Sequence, residues 1–158
     1  MSKQISKFWW RWLIVVTDGV VLFSLALMLL PDTMLRFFNG LFFGVNEGRS
    51  LFGTLEGDYL VFVYSVLGAV MIGWATTLFF VIMGSFKRGE REGWYALAVS
   101  LTVWFIIDSF FSVLTGFAAN VAFNVLFYIL YAVPLAATYK QFFTNPREEI
   151  VRPQTNPH

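Results

Sequence analysis

Four long apolar runs constrain the fold of this chain more than any other feature of its sequence. They cover roughly residues 8–30, 59–86, 95–117 and 120–139. Each holds at least about 20 residues, the number that an α-helix needs to cross a hydrocarbon layer of about 30 Å. In lipid a helix satisfies its own backbone hydrogen bonds, whereas an isolated strand cannot. The sequence therefore predicts an all-α, polytopic membrane four-helix bundle over residues 1–143, followed by a disordered cytoplasmic tail over 144–158.

The distribution of basic residues predicts the orientation of this bundle. Of the 11 lysines and arginines, only Arg36 and Arg49 lie between the first two runs. The others flank the opposite ends of the runs, at Lys3, Lys7, Arg11, Lys87, Arg88, Arg91, Lys140, Arg147 and Arg152. Basic residues concentrate on the cytoplasmic side of membrane proteins. We therefore expect a multi-pass protein of the cell membrane with both termini in the cytoplasm.

The segment between the first two runs is too long and too apolar for an ordinary connection. Pro31 followed by Asp32 is typical of a helix start. Apolar residues then recur at helical spacing, at Leu35, Phe38, Leu41, Phe42 and Val45. We expect a short interfacial helix over residues 32–43 in this outer loop, lying flat or over the bundle.

Two carboxylic acids interrupt the apolar runs, Asp18 in the first and Asp108 in the third. An ionised acid at the centre of a bilayer costs at least about 2.5–3.5 kcal/mol on insertion scales. No lysine, arginine or histidine lies in the middle of any run to neutralise it. The acids are therefore expected to be protonated and hydrogen-bonded, to bind an external cation, or to face water.

Depth and helical spacing predict which groups surround these acids. At a rise of 1.5 Å per residue, Asp108 and Asn124 lie at similar depth, with Asp18 slightly lower. Further polar residues on the third and fourth runs recur every three or four positions, so each set shares one helical face. We expect one mid-membrane polar pocket formed by Asp18, Asp108, Ser112, Thr115, Asn120, Asn124 and Tyr128. The alternative is that neutral acids only lock the packing of the helices.

A second pattern on the second run indicates helix packing rather than chemistry. Small residues recur every four positions, at Ser65, Ala69, Gly73 and Thr77. Such a row lets two helix backbones approach closely, within one chain or between two protomers.

The residues that are missing from the sequence exclude several kinds of site. There is no cysteine, so disulfides and thiolate metal sites are excluded. The only histidine, His158, is the last residue, which leaves no histidine for a catalytic triad or haem in the bundle. The net charge of +1 gives no reason to expect nucleic-acid binding. We therefore expect no cofactor and no metal, and find no support for an enzyme.

The region between residues 94 and 140 contains a recognisable set of residues: Trp104, Phe105, Asp108, Ser109, Gly116, Asn120, Asn124, Pro134 and Leu135. With these residues the region resembles the second half of small bacterial four-helix membrane proteins of the BphX-like kind. The overall plan is also similar to that of DoxX-like proteins. The resemblance implies the fold and a bacterial inner-membrane location, and it suggests that Asp108, Asn120 and Asn124 belong to a recurring pattern.

Three functions remain open from the sequence. The first is a non-enzymatic membrane protein that binds a hydrophobic small molecule (quinone-, sterol- or lipid-like) in the polar pocket, or acts as an accessory membrane subunit. The second is a small proton- or cation-coupled transporter in which Asp18 and Asp108 line one wet path. The third is a structural packing partner in a homo-oligomer or membrane complex. In all three cases the protein is expected to contact the lipid bilayer.

Overall fold

The computed structural model describes residues 5–144, and within this range the chain is helical with no strand. Five α-helices follow one another: α1 (Lys7–Leu29), α2 (Pro31–Phe43), α3 (Thr54–Val81), α4 (Arg91–Leu114) and α5 (Ala119–Phe143). A 3₁₀ turn, Arg49–Leu51, precedes α3, and a π-helical turn, Ile82–Phe86, extends it. The predicted tail lies outside the described residues except for Thr144.

Four of these helices are long and apolar enough to cross a membrane, namely α1, α3 with its π-helical turn, α4 and α5. This confirms the all-α fold and the predicted number of long apolar helices. The third helix begins at Thr54 rather than at residue 59, and the last ends at Phe143 rather than at residue 139. A helix over Pro31–Phe43 also forms between the first two spans, as the spacing of its apolar residues predicts.

The four long helices form two pairs that α1 holds together. Most of the packing between helices is between α1 and α3 and between α4 and α5, and α1 also contacts α5. The backbone N–H of Ser6 donates a hydrogen bond to Oε1 of Gln141 at 3.2 Å. The start of α1 and the end of α5 therefore lie at the same end of the bundle, called here the terminal end. The opposite end, where α2 lies, is the capped end.

The main cluster of buried hydrophobic side chains lies in the half of the bundle near the terminal end. Its buried side chains are Ile5, Leu13, Leu78, Ile82, Phe86, Leu97, Leu101, Tyr131, Leu135 and Phe142. A buried hydrogen bond of 2.9 Å between the hydroxyls of Thr17 and Tyr131 joins α1 to α5 at the edge of this packed half. Just beyond it, the indole rings of Trp74 and Trp104 meet with centroids 6.1 Å apart and join α3 to α4.

α1 and α3 approach each other closely at Gly68, a glycine outside the predicted small-residue row. A Cβ atom added to Gly68 would lie 2.6 Å from the backbone oxygen of Ser24 and 2.6 Å from Cγ of Met28. By contrast, a Cβ on Gly73 would meet nothing within 4 Å. Ala69, Gly73 and Thr77 are exposed and Ser65 is half-buried. The close approach of α1 and α3 at Gly68 therefore does not involve the predicted row, which is largely exposed at Ser65, Ala69, Gly73 and Thr77.

A proline inside α5 explains a second contact between helices. Pro134 has no N–H, so the carbonyl of Leu130, four residues earlier, loses its partner in the helix. The indole Nε1–H of Trp12 donates to this carbonyl oxygen at 2.9 Å. One turn further on, the indole of Trp94 donates to the carbonyl of Leu135, also at 2.9 Å. Two tryptophans thus attach α1 and α4 to the irregular part of α5.

We predict that Gly68→Leu strongly destabilises the protein and that Gly73→Leu does not. A leucine at position 68 would collide with the backbone of α1, which cannot move aside as a flexible side chain can, and such overpacking costs at least about 1–3 kcal/mol. Gly73→Leu is the matched control, because it makes the same change on the same helix in open space. Thermal unfolding in detergent, followed by circular dichroism, measures both. Equal losses in the two variants would contradict this account of the α1–α3 contact.

We also predict that the cost of Trp12→Phe depends on Pro134. In the wild-type protein the substitution leaves the Leu130 carbonyl without a donor, at a cost of about 1–3 kcal/mol. Pro134→Ala restores a backbone N–H at residue 134 that can donate to the same carbonyl, so Trp12→Phe should cost less in that background. A double-mutant cycle of unfolding free energies tests the coupling. If Trp12→Phe costs the same in both backgrounds, the two positions are not coupled. That result would contradict a stabilising hydrogen bond between the indole and the carbonyl freed by Pro134.

Candidate functional site

A large cavity occupies the half of the bundle near the capped end. Its volume is about 1290 Å³, larger than the roughly 300–1,000 Å³ of most small-molecule sites. All five α-helices contribute to its walls, which are mainly apolar and aromatic. Trp74 and Trp104 lie at the edge of the cavity nearest the terminal end, next to the hydrophobic core. The polar side chains on its walls include Asp108, Ser112, Thr115, Asn120 and Asn124, called here the polar cluster.

The polar cluster joins α4 to α5 close to the turn between them. The hydroxyl of Ser112 donates to the backbone oxygen of Asp108 at 2.7 Å and lies 3.4 Å from Oδ1 of the same residue. The amide Nδ2 of Asn120 donates to Oγ of Ser112 at 3.0 Å and lies 3.5 Å from Oδ1 of Asp108. These contacts confirm that Asp108 and Ser112 share a face of α4 and that Asn120 lies opposite them.

Asp108 retains capacity to bind a further donor. Its carboxylate has two contacts, of 3.4 and 3.5 Å, which are at the outer limit of hydrogen-bond length. The side chain is half-buried and lines the cavity. Among the described residues that line the cavity, none carries a positive charge. The site therefore presents one incompletely bonded acid, with no base beside it, to whatever occupies the cavity.

The remaining members of the polar cluster are held by neighbouring groups. Asn124 is buried, and its Nδ2 donates to the hydroxyl of Ser109 at 3.3 Å. The hydroxyl of Thr115 donates to the backbone oxygen of Phe111 at 2.7 Å. Ser109 is thus a contact of Asn124 that the sequence-based pocket did not include.

Two residues predicted for this pocket lie elsewhere. Asp18 is exposed and lines a separate groove between α1 and α3, because the α1 face that enters the cavity carries Val16, Gly19 and Val20 instead. Tyr128 lies nearer the packed half, where its hydroxyl is 3.0 Å from that of Thr102. The prediction of a single pocket that contains both acids is therefore wrong.

Aromatic rings close the cavity at the capped end. Phe38 of α2 lies against Phe23 of α1, with ring centroids 6.5 Å apart, and against Tyr64 of α3, at 5.8 Å. Phe42, one turn further along α2, meets Phe117 at 5.0 Å. Composition and hydropathy do not distinguish these phenylalanines from the other aromatic rings in the chain. The spacing of Phe38 and Phe42, four residues apart on α2, is the one signal that indicates a shared face.

The cavity is open on its side, between α3 and α4. These helices are joined at the terminal end but make few contacts with each other. Leu67 and Val70 on α3, and Ile107 and Phe111 on α4, are both exposed and part of the cavity wall. The opening is therefore bordered by apolar side chains.

An ionic cluster ties α2 to α3 above the cavity. Asp32 accepts hydrogen bonds from Nε of Arg36 at 3.1 Å and from the backbone N–H of Arg49 at 2.9 Å. The guanidinium of Arg49 lies 3.2 Å from Oδ1 of Asp58 on α3. Neither arginine lines the cavity. The hydrogen bond from Arg49, followed by that from Arg36, lowers the pKa of Asp32 below its ordinary value of 3.8.

We predict that Asp32→Asn lowers the thermal stability at neutral pH and that this loss disappears in acid. Because the folded protein lowers the pKa of Asp32, the stabilisation is present above the ordinary pKa and is lost as the pH falls through the lowered value. Unfolding temperatures near pH 7 and at about pH 3 or below measure the difference. Glu47→Gln, which removes a charge from the same loop, is the control and should behave as wild type. An equal loss at both pH values would contradict a role for the ionised carboxylate.

Within residues 5–144 no group of three or more acidic or histidine side chains is arranged to hold a metal ion. None of the protein families, curated proteins and solved structures with which the chain was compared matches it. The resemblance to BphX-like and DoxX-like proteins therefore stays a prediction, and the function must be argued from the cavity itself.

Proposed function

We propose that this chain is an integral membrane protein that binds a hydrophobic, lipid-like molecule in the cavity, with the polar group of that molecule at Asp108. The observation that carries the proposal is a single acid, with spare hydrogen-bonding capacity, on the wall of a large and otherwise mainly apolar cavity. Pockets for hydrophobic ligands have this composition, with few polar groups that fix the orientation of the ligand.

The chemistry of the polar cluster limits the polar group of the ligand. A carboxylate accepts hydrogen bonds when ionised, and it is costly to leave unpaired in an apolar environment. Because none of the described residues that line the cavity is positively charged, the missing donor would come from the ligand. A hydroxyl or an amine meets this need, whereas a second carboxylate would be repelled. The proposed ligand is therefore a long-chain alcohol, sterol or amine rather than a fatty acid.

The side opening supports entry of such a ligand from the bilayer. Its apolar border, between α3 and α4, would face lipid acyl chains if the four long helices span the membrane. The aromatic rings of α2 cover the route from the capped end. A molecule that is soluble in lipid would then reach Asp108 without crossing water.

The charges at the ends of the helices support an orientation with the terminal end in the cytoplasm. At that end, Lys87 lies over the ring of Trp10 at 4.6 Å and Arg91 over that of Phe143 at 5.4 Å. Basic and aromatic residues together are typical of the cytoplasmic interface. With this orientation α2 would lie at the outer surface, as an interfacial helix.

The two other functions receive less support from the geometry. A transporter that uses both acids needs them on one path, but Asp18 lies in the groove between α1 and α3 while Asp108 lines the cavity. An accessory or packing role for the row at Gly73 remains compatible with the exposure of that row. It does not explain the cavity.

We predict that a brominated long-chain amine or alcohol quenches the fluorescence of the protein by entering beside Trp74 and Trp104. The matching brominated fatty acid should bind at least about tenfold more weakly, because its head group repels Asp108. Asp108→Asn should remove this preference, since a hydrogen bond to a charged group contributes about 1.5–3 kcal/mol. Titrations in detergent micelles give the affinities.

A cavity-filling variant separates binding in the cavity from binding to the surface. Gly19 lines the cavity, and a Cβ added there would meet nothing within 4 Å, so Gly19→Leu should fold and weaken binding of the amine and the alcohol. Gly73→Leu is the control on a surface away from the cavity and should bind as wild type. If Gly19→Leu and Asp108→Asn both bind every probe as wild type does, the proposed function is wrong.

A further inference from the structure

Asp18 is an acid in the middle of a spanning helix, and it has no partner among the residues that the structure describes. It is the middle residue of α1, and its side chain is exposed. No hydrogen bond or ion pair joins its carboxylate to any of residues 5–144. Such an acid in contact with lipid alone would cost at least about 2.5–3.5 kcal/mol. Its surroundings should therefore contain a group that the chain does not supply.

The groove beside Asp18 has the composition of a site for a cationic side chain. It measures about 190 Å³ and lies between α1 and α3, with Thr17, Asp18 and Val21 on one wall. The other wall contains the hydroxyl of Thr76 and the exposed rings of Phe79 and Phe80. A carboxylate attracts a cation through its charge, and an aromatic ring attracts one through its face.

The depth of Asp18 and the sequence together limit the source of that cation. Lipid head groups lie near the ends of the helices, not beside the middle residue of α1. A second copy of this chain has no lysine, arginine or histidine in the middle of its spans, because Arg11, Arg91 and Lys140 all lie near helix ends. What remains is a basic side chain on another membrane protein.

We propose that the surface around Asp18 binds a membrane-spanning helix of a different protein, one that carries a lysine or arginine at the middle of its span. The shape of this surface supports the proposal. Gly73 and Ala69 are exposed, and they lie one turn and two turns, respectively, from Thr76 on the same side of α3, towards the capped end. Small residues at such positions allow the backbone of a second helix to approach closely. The basic side chain would then enter the groove and pair with Asp18.

The test uses a designed helix as the probe. A synthetic spanning peptide of leucine and alanine, with one central lysine and a fluorescent label, is added to the full-length protein in phosphatidylcholine vesicles. Energy transfer between peptide and labelled protein measures the association. The lysine peptide should bind at least about tenfold more tightly than peptides with a central leucine or glutamate, as expected for a desolvated charge pair. Asp18→Asn should abolish the difference and Asp18→Glu should retain it.

Further measurements identify other occupants and separate this proposal from the function of the cavity. Asp108→Asn removes the same charge from another part of the bundle and should leave the lysine peptide bound. Equal binding of the lysine and leucine peptides would overturn the proposal. So would self-association of the protein, without peptide, that Asp18→Asn disrupts, because the occupant would then be a second copy. Since Asp18 is outside the cavity, the result does not depend on whether brominated amphiphiles bind there.

Discussion

The contact between the indole rings of Trp74 and Trp104 divides the bundle into a packed half and a hollow half. On its terminal side, the helices are close enough for aliphatic and aromatic side chains to fill the space between them. On its capped side, α1 remains against α3 and α4 remains against α5, but α3 and α4 do not close. The cavity therefore depends on two helix pairs that are firmly joined at one end only.

The two halves of the bundle differ in how their helices are held together. Stability resides mainly in the packed half, where the Thr17–Tyr131 hydrogen bond and the indole of Trp12 hold α1 against α5. The hollow half is covered by α2, which is held by aromatic contacts and by the ion pairs of Asp32 and Arg49 on the surface. Exposed ion pairs contribute little, typically up to about 1 kcal/mol. The attachment of α2 over the cavity is thus weaker than the packing of the helices at the terminal end.

Much of the fold and part of the site could be predicted from the sequence, for identifiable reasons. The number and approximate positions of the four long helices could be predicted from the length of the apolar runs. The contact of Asp108 and Ser112 with Asn120 follows from helical spacing and from the short connection between α4 and α5, where Gly116 adopts a positive φ of 86°. A tight turn fixes the register of two neighbouring helices, so residues near it can be paired without knowing the rest of the bundle.

The errors arose where rotation of a helix about its axis decides the outcome. α1 is apolar on every side, so no periodicity indicates whether Asp18 faces the interior or the surface. The same uncertainty affected α3, where Gly68 and Gly73 both lie among small residues and only the backbone of α1 distinguishes them. The role of Trp12 was hidden for another reason. A carbonyl freed by Pro134 can be satisfied by any nearby donor, and sequence separation gives no information about which donor is near.

The two acids in the long apolar helices differ in the hydrogen-bond donors and in the space that surround them. This difference distinguishes two kinds of binding. Asp108 has donors from Ser112 and Asn120 at the outer limit of hydrogen-bond length. It lines a cavity that is large enough for a whole small molecule. Asp18 has no donor among residues 5–144, and it lies beside a groove with room for little more than one side chain. An unsatisfied acid in an apolar environment needs a donor, and the available volume determines its size. The same physical requirement therefore points inward to a small amphiphile and outward to a neighbouring helix.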